Sequence, residues 1–120
     1  MLFRSDASIG YNSNRRRIAT FTDAEGRPDG ATCDADGNYW SAAILAGRLN
    51  QFSPQGKLLQ SVTLPFPTPT MPGIVGDTMY ITSMRNLQTE ETLQKHPGLG
   101  GLYRMKAPAK PGREWLFSDV

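Results

Sequence analysis

Glycine and proline recur at short intervals along the whole chain, and this spacing limits what the chain can fold into. The 120 residues include 12 glycines and 9 prolines, and they leave no window that could hold a long amphipathic helix. The segments between them are short and strand-like. The pattern therefore predicts an all-β fold of short antiparallel strands joined by tight turns.

The first half of the chain contains four predicted strands in succession. They are Ala31–Asp34, Asn38–Ala43, Gly47–Phe52 and Lys57–Leu64. Asp36 and Gly37 lie between the first two, and an Asp-Gly pair flanked by extended segments is a strong hairpin signal. Two further strands are predicted before them, at residues 2–4 and 16–21.

The same pattern then starts again in the second half. Strands are predicted at residues 72–75, 78–83 and 101–105, and Trp40 and Tyr80 occupy equivalent places 40 residues apart. An insertion is predicted between Asn86 and Gly100, in which Leu87, Leu93 and residues 88–92 indicate one short surface helix. Four antiparallel strands repeated at about 40 residues are typical of propeller blades. A single β-sandwich would explain the number of strands but not the repeat.

A propeller closes with roughly four to eight blades, and this chain is too short for that. It is expected to carry one whole blade, the last two strands of a preceding blade in residues 1–21, and most of a following blade. The fold class predicted is therefore a partial β-propeller of about two and a half blades.

Charge and cysteine content exclude several classes of protein. The net charge of +2 is too small for a nucleic-acid-binding surface, and no stretch approaches the ~20 apolar residues that span a bilayer. The chain has one cysteine, Cys33, so it can form neither an internal disulfide nor a cysteine-based zinc site. We expect a protein of the cytoplasm that binds neither nucleic acid nor membrane.

An ordered set of segments resembles the family that includes senescence marker protein, gluconolactonase and the luciferin-regenerating enzyme. The matching segments run over about 100 residues: 13–16, 26–31, 34–40, 47–49, 57–59, 64–65, 69–70, 78–83 and 100–103. The resemblance implies that residues 1–120 form the C-terminal part of a six-bladed, lactonase-like propeller domain.

The resemblance also implies an activity, the hydrolysis of a sugar lactone at a divalent cation (calcium, zinc, magnesium or manganese). Of the metal ligands in this family, the aspartate of a Pro-Asp-Gly turn corresponds to Asp29, which also acts there as general base. The other ligands, a glutamate and an asparagine, have no counterpart here. Met71 stands where the family more often has a small polar residue. We expect the chain alone to lack appreciable activity, because one carboxylate holds a hard cation only weakly.

Each candidate residue also has a structural explanation. Asp29 lies in a preferred β-turn sequence. Asp34, Asp36 and Asn38 have the alternate spacing that opens a calcium loop, but Leu45 stands where the bidentate glutamate is required, so we assign them to the hairpin. His96 is expected in an exposed loop, and Cys33 is expected to be a small buried residue. Trp40 and Tyr80 are expected to pack between blades.

Two functions are consistent with the sequence. The chain is either part of a metal-dependent lactone hydrolase that retains Asp29, or a non-catalytic β-rich module that covers its open blade edges by self-association or with a partner.

Overall fold

Residues 2–6 and 13–113 are described by a computed structural model, in which nine strands form three antiparallel sheets. The strands are β1 (Leu2–Asp6), β2 (Ser13–Ala19), β3 (Arg27–Cys33), β4 (Tyr39–Ile44), β5 (Arg48–Phe52), β6 (Leu58–Thr63), β7 (Pro69–Val75), β8 (Thr78–Ser83) and β9 (Leu102–Lys106). A single turn of 3-10 helix, Asp23–Glu25, precedes β3, and α1 (Glu90–Lys95) precedes β9.

The sheets follow one another along the chain. The first pairs β1 with β2, the second has the order β3-β4-β5-β6, and the third has the order β7-β8-β9. Every neighbouring pair is antiparallel. The predicted arrangement, one four-stranded blade between two partial blades, is confirmed.

The predicted hairpin at Asp36 and Gly37 is present. Cys33 pairs with Tyr39, and the Gly37 amide donates to the carbonyl of Asp34 at 3.0 Å. Gly37 has a φ of 77°, in the left-handed region that a glycine adopts without steric cost.

Apolar side chains fill the space between the second and third sheets. Trp40 and Leu49 of the second sheet are fully buried with Met79 and Ile81 of the third. The rings of Phe66 and Tyr103 stack with centroids 3.9 Å apart. The remaining buried members of this cluster are Ala42, Leu64, Ile74 and Leu99.

Trp40 therefore packs between sheets as predicted, but Tyr80 does not. Side chains alternate across a strand, so Tyr80 lies on the opposite face of β8 from Met79 and Ile81. No described element covers that face, and Tyr80 is 36% exposed.

The inserted helix begins later than predicted. Thr89 caps α1, since its hydroxyl accepts a hydrogen bond from the Thr92 amide at 3.2 Å, and the helix occupies Glu90–Lys95. Leu93 packs against the core, whereas Leu87 precedes the helix with a φ of 64° and is 96% exposed.

The Asp34 carboxylate connects the hairpin to the interior of the second sheet. It is 3% exposed, and it accepts hydrogen bonds from Trp40 Nε1 at 3.0 Å and Gln51 Nε2 at 2.8 Å. The amides of Asp36 and Asn38 and the side-chain amide of Asn38 also donate to it. Burial alone would raise the pKa of Asp34, but these hydrogen bonds outweigh it and lower the pKa below its ordinary value.

The inner strands of the second and third sheets meet at Gly30. A Cβ atom built on Gly30 would lie 2.6 Å from the carbonyl oxygen of Thr70 and 3.0 Å from Cα of Met71, both backbone atoms of β7. The absence of a side chain at Gly30 is what allows this approach.

After β9 the chain returns to the second sheet. The Ala107 amide donates to the Asp77 carbonyl at 2.7 Å, and the Ala35 amide donates to the Lys110 carbonyl at 3.0 Å. Pro111 forms an isolated bridge with Asp34. No helix in the described part of the chain is long and apolar enough to cross a membrane.

We expect Asp34→Ala to lower the free energy of unfolding by about 2–4 kcal/mol, because it leaves the buried donors of Trp40 and Gln51 without an acceptor. Urea unfolding followed by tryptophan fluorescence measures the loss. Asp36→Ala, in the same turn but exposed, should change it by less than about 0.5 kcal/mol. Equal losses for the two variants would show that the carboxylate contacts of Asp34 do not stabilise the sheet.

We expect Gly30→Ala to destabilise the chain by about 1–3 kcal/mol, because backbone atoms of β7 occupy the space that the new methyl group needs. The control is Gly73→Ala, where a Cβ would meet nothing within 4 Å. Thermal unfolding of both variants compares the two positions. A Gly30→Ala variant as stable as Gly73→Ala would refute the tight approach of the inner strands.

Candidate functional site

Asp29 lies on β3, the first strand of the second sheet and one of the two inner strands that meet at Gly30. The pairing of β3 with β4 is irregular between Pro28 and Ala31, so Asp29 and Gly30 fall in a β-bulge. A bulge re-aims the side chains at its position and is often found next to functional sites. Whether Asp29 is a metal ligand or a catalytic base stays a prediction.

The Asp29 side chain is exposed. No residue of the described part of the chain donates a hydrogen bond to its carboxylate, and none forms an ion pair with it. The nearest ion pair in sequence is the one that Arg27 forms with Asp23 at 3.1 Å. Both carboxylate oxygens of Asp29 are therefore open to water, a cation or a substrate.

The neighbouring inner strand has a matching irregularity. The register of β7 with β8 shifts between Pro69 and Met71, so Thr70 lies at a bulge as Asp29 does. The Thr70 hydroxyl is 2.7 Å from that of Thr82. Met71, the next residue, is 51% exposed, and its sulfur would lie 2.5 Å from a Cβ on Gly30. The structure therefore places a carboxylate on β3, a thioether on β7, and a pair of hydroxyls shared by β7 and β8.

The described residues do not form a complete metal site. Asp29 offers the oxygen donor that a hard cation prefers. However, no group of three or more His, Cys, Asp or Glu side chains in the described part of the chain could hold a metal ion. Asp34, the carboxylate nearest to Asp29 along the second sheet, is turned into the interior and fully engaged by its five hydrogen bonds. Its place in the hairpin also accounts for the calcium-loop-like spacing of Asp34, Asp36 and Asn38.

Cys33 is exposed, so the prediction that it is a buried residue is wrong. It is the last residue of β3, which is an edge strand of its sheet. Partial desolvation raises the pKa of its thiol, and the negative charge of Asp34 raises it further. Both effects disfavour the reactive thiolate, so Cys33 is a poor nucleophile.

His96 is the C-cap residue of α1 and is half-buried, whereas the sequence predicted an exposed loop residue. Its carbonyl accepts a hydrogen bond from the Leu99 amide at 3.1 Å. It lies in the insertion of the third sheet, and no contact in the described part of the chain brings it together with Asp29.

Sequence reasoning selected Asp29 but did not connect it with its surroundings. The contact of Met71 with Gly30 joins residues 41 positions apart, and no local pattern reports such a contact. The sequence signal that could have indicated that these two segments occupy equivalent places is the repeated Pro-x-x sequence of the two inner strands, Pro28-Asp29-Gly30 and Pro69-Thr70-Met71.

Solved structures share this arrangement of sheets. A calcium-binding protein, regucalcin, from Agrobacterium tumefaciens superposes with a TM-score of 0.74 at 22% identity, covering 94% of this chain and 41% of that one. A luciferin-regenerating enzyme superposes with a TM-score of 0.73 at 33% identity, covering 92% of this chain and 38% of that one.

Sequence comparison agrees with the structural one. The 6-deoxy-6-sulfogluconolactonase of Pseudomonas putida is 38% identical over 113 residues, which cover 91% of this chain and 39% of that enzyme. The chain thus spans about two fifths of the length of the relatives it matches. A family model described as the SMP-30/gluconolactonase/LRE-like region matches residues 1–85. The chain belongs to the SMP-30/gluconolactonase/LRE-like family.

Proposed function

We propose that this chain is an arc of a lactone hydrolase that acts on a sugar lactone, and that Asp29 is its contribution to the reaction. The observation that carries the proposal is the placement of Asp29, an exposed carboxylate without a described partner at the bulge of an inner strand. The relative from Pseudomonas putida is named as a lactonase, which supports the substrate class.

The proposed reaction adds water to the carbonyl carbon of the lactone. The bond between that carbon and the ring oxygen then breaks, and the product is an open-chain hydroxy acid. A carboxylate that is open to water can accept the proton that the attacking water loses, and the ring oxygen takes up a proton as it leaves. Asp29 is the described residue that we assign to the first of these proton transfers.

Dependence on a divalent cation is a second part of the proposal. A similar structure is titled as a calcium-binding protein, and Asp29 has the oxygen donors that such a cation prefers. Since the described residues provide no cluster that could hold a metal ion, the remaining donors would come from sheets other than the three described here. We therefore expect catalysis only when those sheets are present.

A chimaera tests this proposal. The region of the Pseudomonas putida sulfogluconolactonase that matches this chain is replaced by the chain, and hydrolysis of a sugar lactone is followed by acid release. We expect hydrolysis by the chimaera and none by the chain alone. Asp29→Asn, which keeps the size but removes the charge, should lower kcat/KM by more than about 100-fold, since even partners of metal ligands are worth 10–100-fold.

The control for this experiment is Asp36→Asn, an exposed aspartate in the turn after β3, which should leave kcat/KM unchanged. Chelation with EDTA tests the cation, and added calcium, zinc, magnesium or manganese should restore hydrolysis. A folded chimaera whose hydrolysis is unaffected by Asp29→Asn would refute the role of Asp29.

One observation favours a second function, a module that associates with a second copy of itself. The face of the third sheet that carries Tyr80 is not covered by any described element, and we call it the open face. Val75 and Leu102 on it are 60% and 65% exposed. Asp77 lies beside Arg104 and Lys106 along this sheet, and no described residue pairs with these two cations, so two copies could match opposite charges.

If the open face joins two copies, Leu102→Asp should weaken self-association by about tenfold or more, because it places a charge in an apolar contact. Sedimentation velocity over a range of concentrations measures the association. Leu87→Asp, an equally drastic change at a residue that is 96% exposed in the insertion, is the control. A chain that stays monomeric at all concentrations would exclude this function.

A further inference from the structure

A cavity of about 350 Å³ lies where three segments of the chain meet. The turn between β4 and β5, residues 45–47, lines one side of it, and the connection from β6 to β7, residues 63–67, lines another. The third segment is the end of α1, which contributes His96. The volume lies in the range of about 300–1,000 Å³ that is usual for small-molecule sites.

Hydrogen bonds hold two of these segments against each other. The Leu64 amide donates to the Gly47 carbonyl at 2.8 Å, and the Gly47 amide donates to the Pro67 carbonyl at 3.1 Å. A Cβ atom on Gly47 would lie 2.9 Å from the carbonyl oxygen of Phe66, so the turn and the connection are in close backbone contact. The cavity is therefore preformed, as small-molecule sites usually are.

Leu45 lines this cavity with a backbone conformation that is costly for a leucine. Its φ is 69°, in the left-handed region that bulky side chains rarely adopt. The side chain is 62% exposed, so its burial in the fold does not repay that cost. Backbone strain of this kind clusters at sites that hold ligands. The conformation of Leu45 is thus a second indication, besides the cavity itself, that a ligand binds here.

The lining decides which ligands suit the cavity. Leu45, Pro65 and Phe66 contribute apolar side chains, and no Asp, Glu, Lys or Arg in the described part of the chain lines it. A charged ligand would lose its water without gaining an ion pair, whereas an apolar ring would leave water favourably.

The imidazole of His96 is the polar group that a ligand can engage. No residue of the described ranges forms a hydrogen bond or an ion pair with it. An imidazole can donate a hydrogen bond through one ring nitrogen and accept one through the other. A hydroxyl group on the ligand can therefore pair with it in either direction.

We propose that this cavity binds a small neutral ring compound that carries one hydrogen-bonding group, such as a hydroxyl. The ring contacts the side chains of Leu45 and Pro65, and the hydroxyl pairs with the imidazole of His96. The inference goes beyond lactone hydrolysis and does not depend on it, because Asp29 does not line the cavity.

Titration of the ¹⁵N-labelled full chain with three probes tests the proposal. Phenol has the proposed chemistry, toluene has nearly the same size without the hydroxyl, and benzoate carries a charge on the same ring. We expect phenol to shift the amide signals of Gly47 and His96 and to saturate them. Benzoate should bind about fivefold more weakly or worse, because the cavity offers no fixed positive charge.

Three variants assign the contacts. His96→Leu should weaken phenol binding about fivefold, the effect of one hydrogen bond, and should not weaken toluene binding. Leu45→Asn should weaken both about fivefold, because asparagine tolerates the left-handed backbone but removes the apolar contact. Leu87→Asn is the matched control and should change neither, since Leu87 has a φ of 64° and is 96% exposed but does not line the cavity.

The inference is overturned if phenol gives no saturable shift, if benzoate binds as tightly as phenol, or if Leu45→Asn and Leu87→Asn have equal effects. An equal loss of phenol and toluene binding in His96→Leu would likewise refute the hydrogen bond assigned to the imidazole. Thermal unfolding verifies that each variant is folded. If Leu45→Asn does not fold, the comparison of phenol with toluene in His96→Leu decides the question.

Discussion

The buried carboxylate of Asp34 is the interaction on which the second sheet depends. It accepts from the indole of Trp40 on β4 and from the amide of Gln51 on β5, and Gln51 in turn accepts from Gln60 on β6 at 2.8 Å. One group at the end of β3 thus connects to the other three strands of its sheet. Because a buried carboxylate is costly unless its hydrogen bonds are complete, these donors fix the geometry of the β3–β4 hairpin.

This constraint also bears on the candidate site. Asp29 lies near the start of β3 and Asp34 directly follows the last residue of that strand, so the network that holds the hairpin also sets the path of β3. The bulge at Asp29 and the close approach at Gly30 then decide how that strand meets β7. The polar network acts at the end of β3 and the glycine contact acts at its middle, and together they position the Asp29 carboxylate.

The sequence was sufficient for the order of the strands, the hairpin and the repeat, because glycine, proline and alternating apolar residues act locally. It placed two strand starts too late, since β3 begins at Arg27 and not at Ala31, and β7 begins at Pro69 and not at Pro72. It was not sufficient for features that depend on packing between sheets. The helix was predicted over residues 87–93 because its residue types favour a helix, whereas the cap formed by Thr89 decides where it begins. The exposure of Cys33 and Tyr80 depends on which neighbouring elements cover them, and no local pattern carries that information.

The candidate site also combines a feature that the sequence indicates with features that depend on packing between sheets. Asp29 could be selected from its Pro-Asp-Gly sequence and the order of segments around it. The approach of Met71 to Gly30 could not be predicted, because this contact joins two sheets and follows no local sequence pattern. Asp34 was assigned to the hairpin correctly, but the donors from Trp40 and Gln51 were missed. They lie 6 and 17 residues away, at positions that only the folded sheet brings together.

The segment that follows β9 has a mechanical consequence. It leaves the third sheet at Ala107 and reaches the hairpin of the second at Ala35, where Lys110 accepts a hydrogen bond. The third sheet is therefore connected to the second sheet twice. The chain enters the third sheet directly from β6, and the segment after β9 leads back to the second sheet. The strands of the third sheet cannot separate from the second sheet one at a time unless the hydrogen bond between Ala35 and Lys110 breaks first. We therefore expect the two sheets to unfold as one cooperative unit.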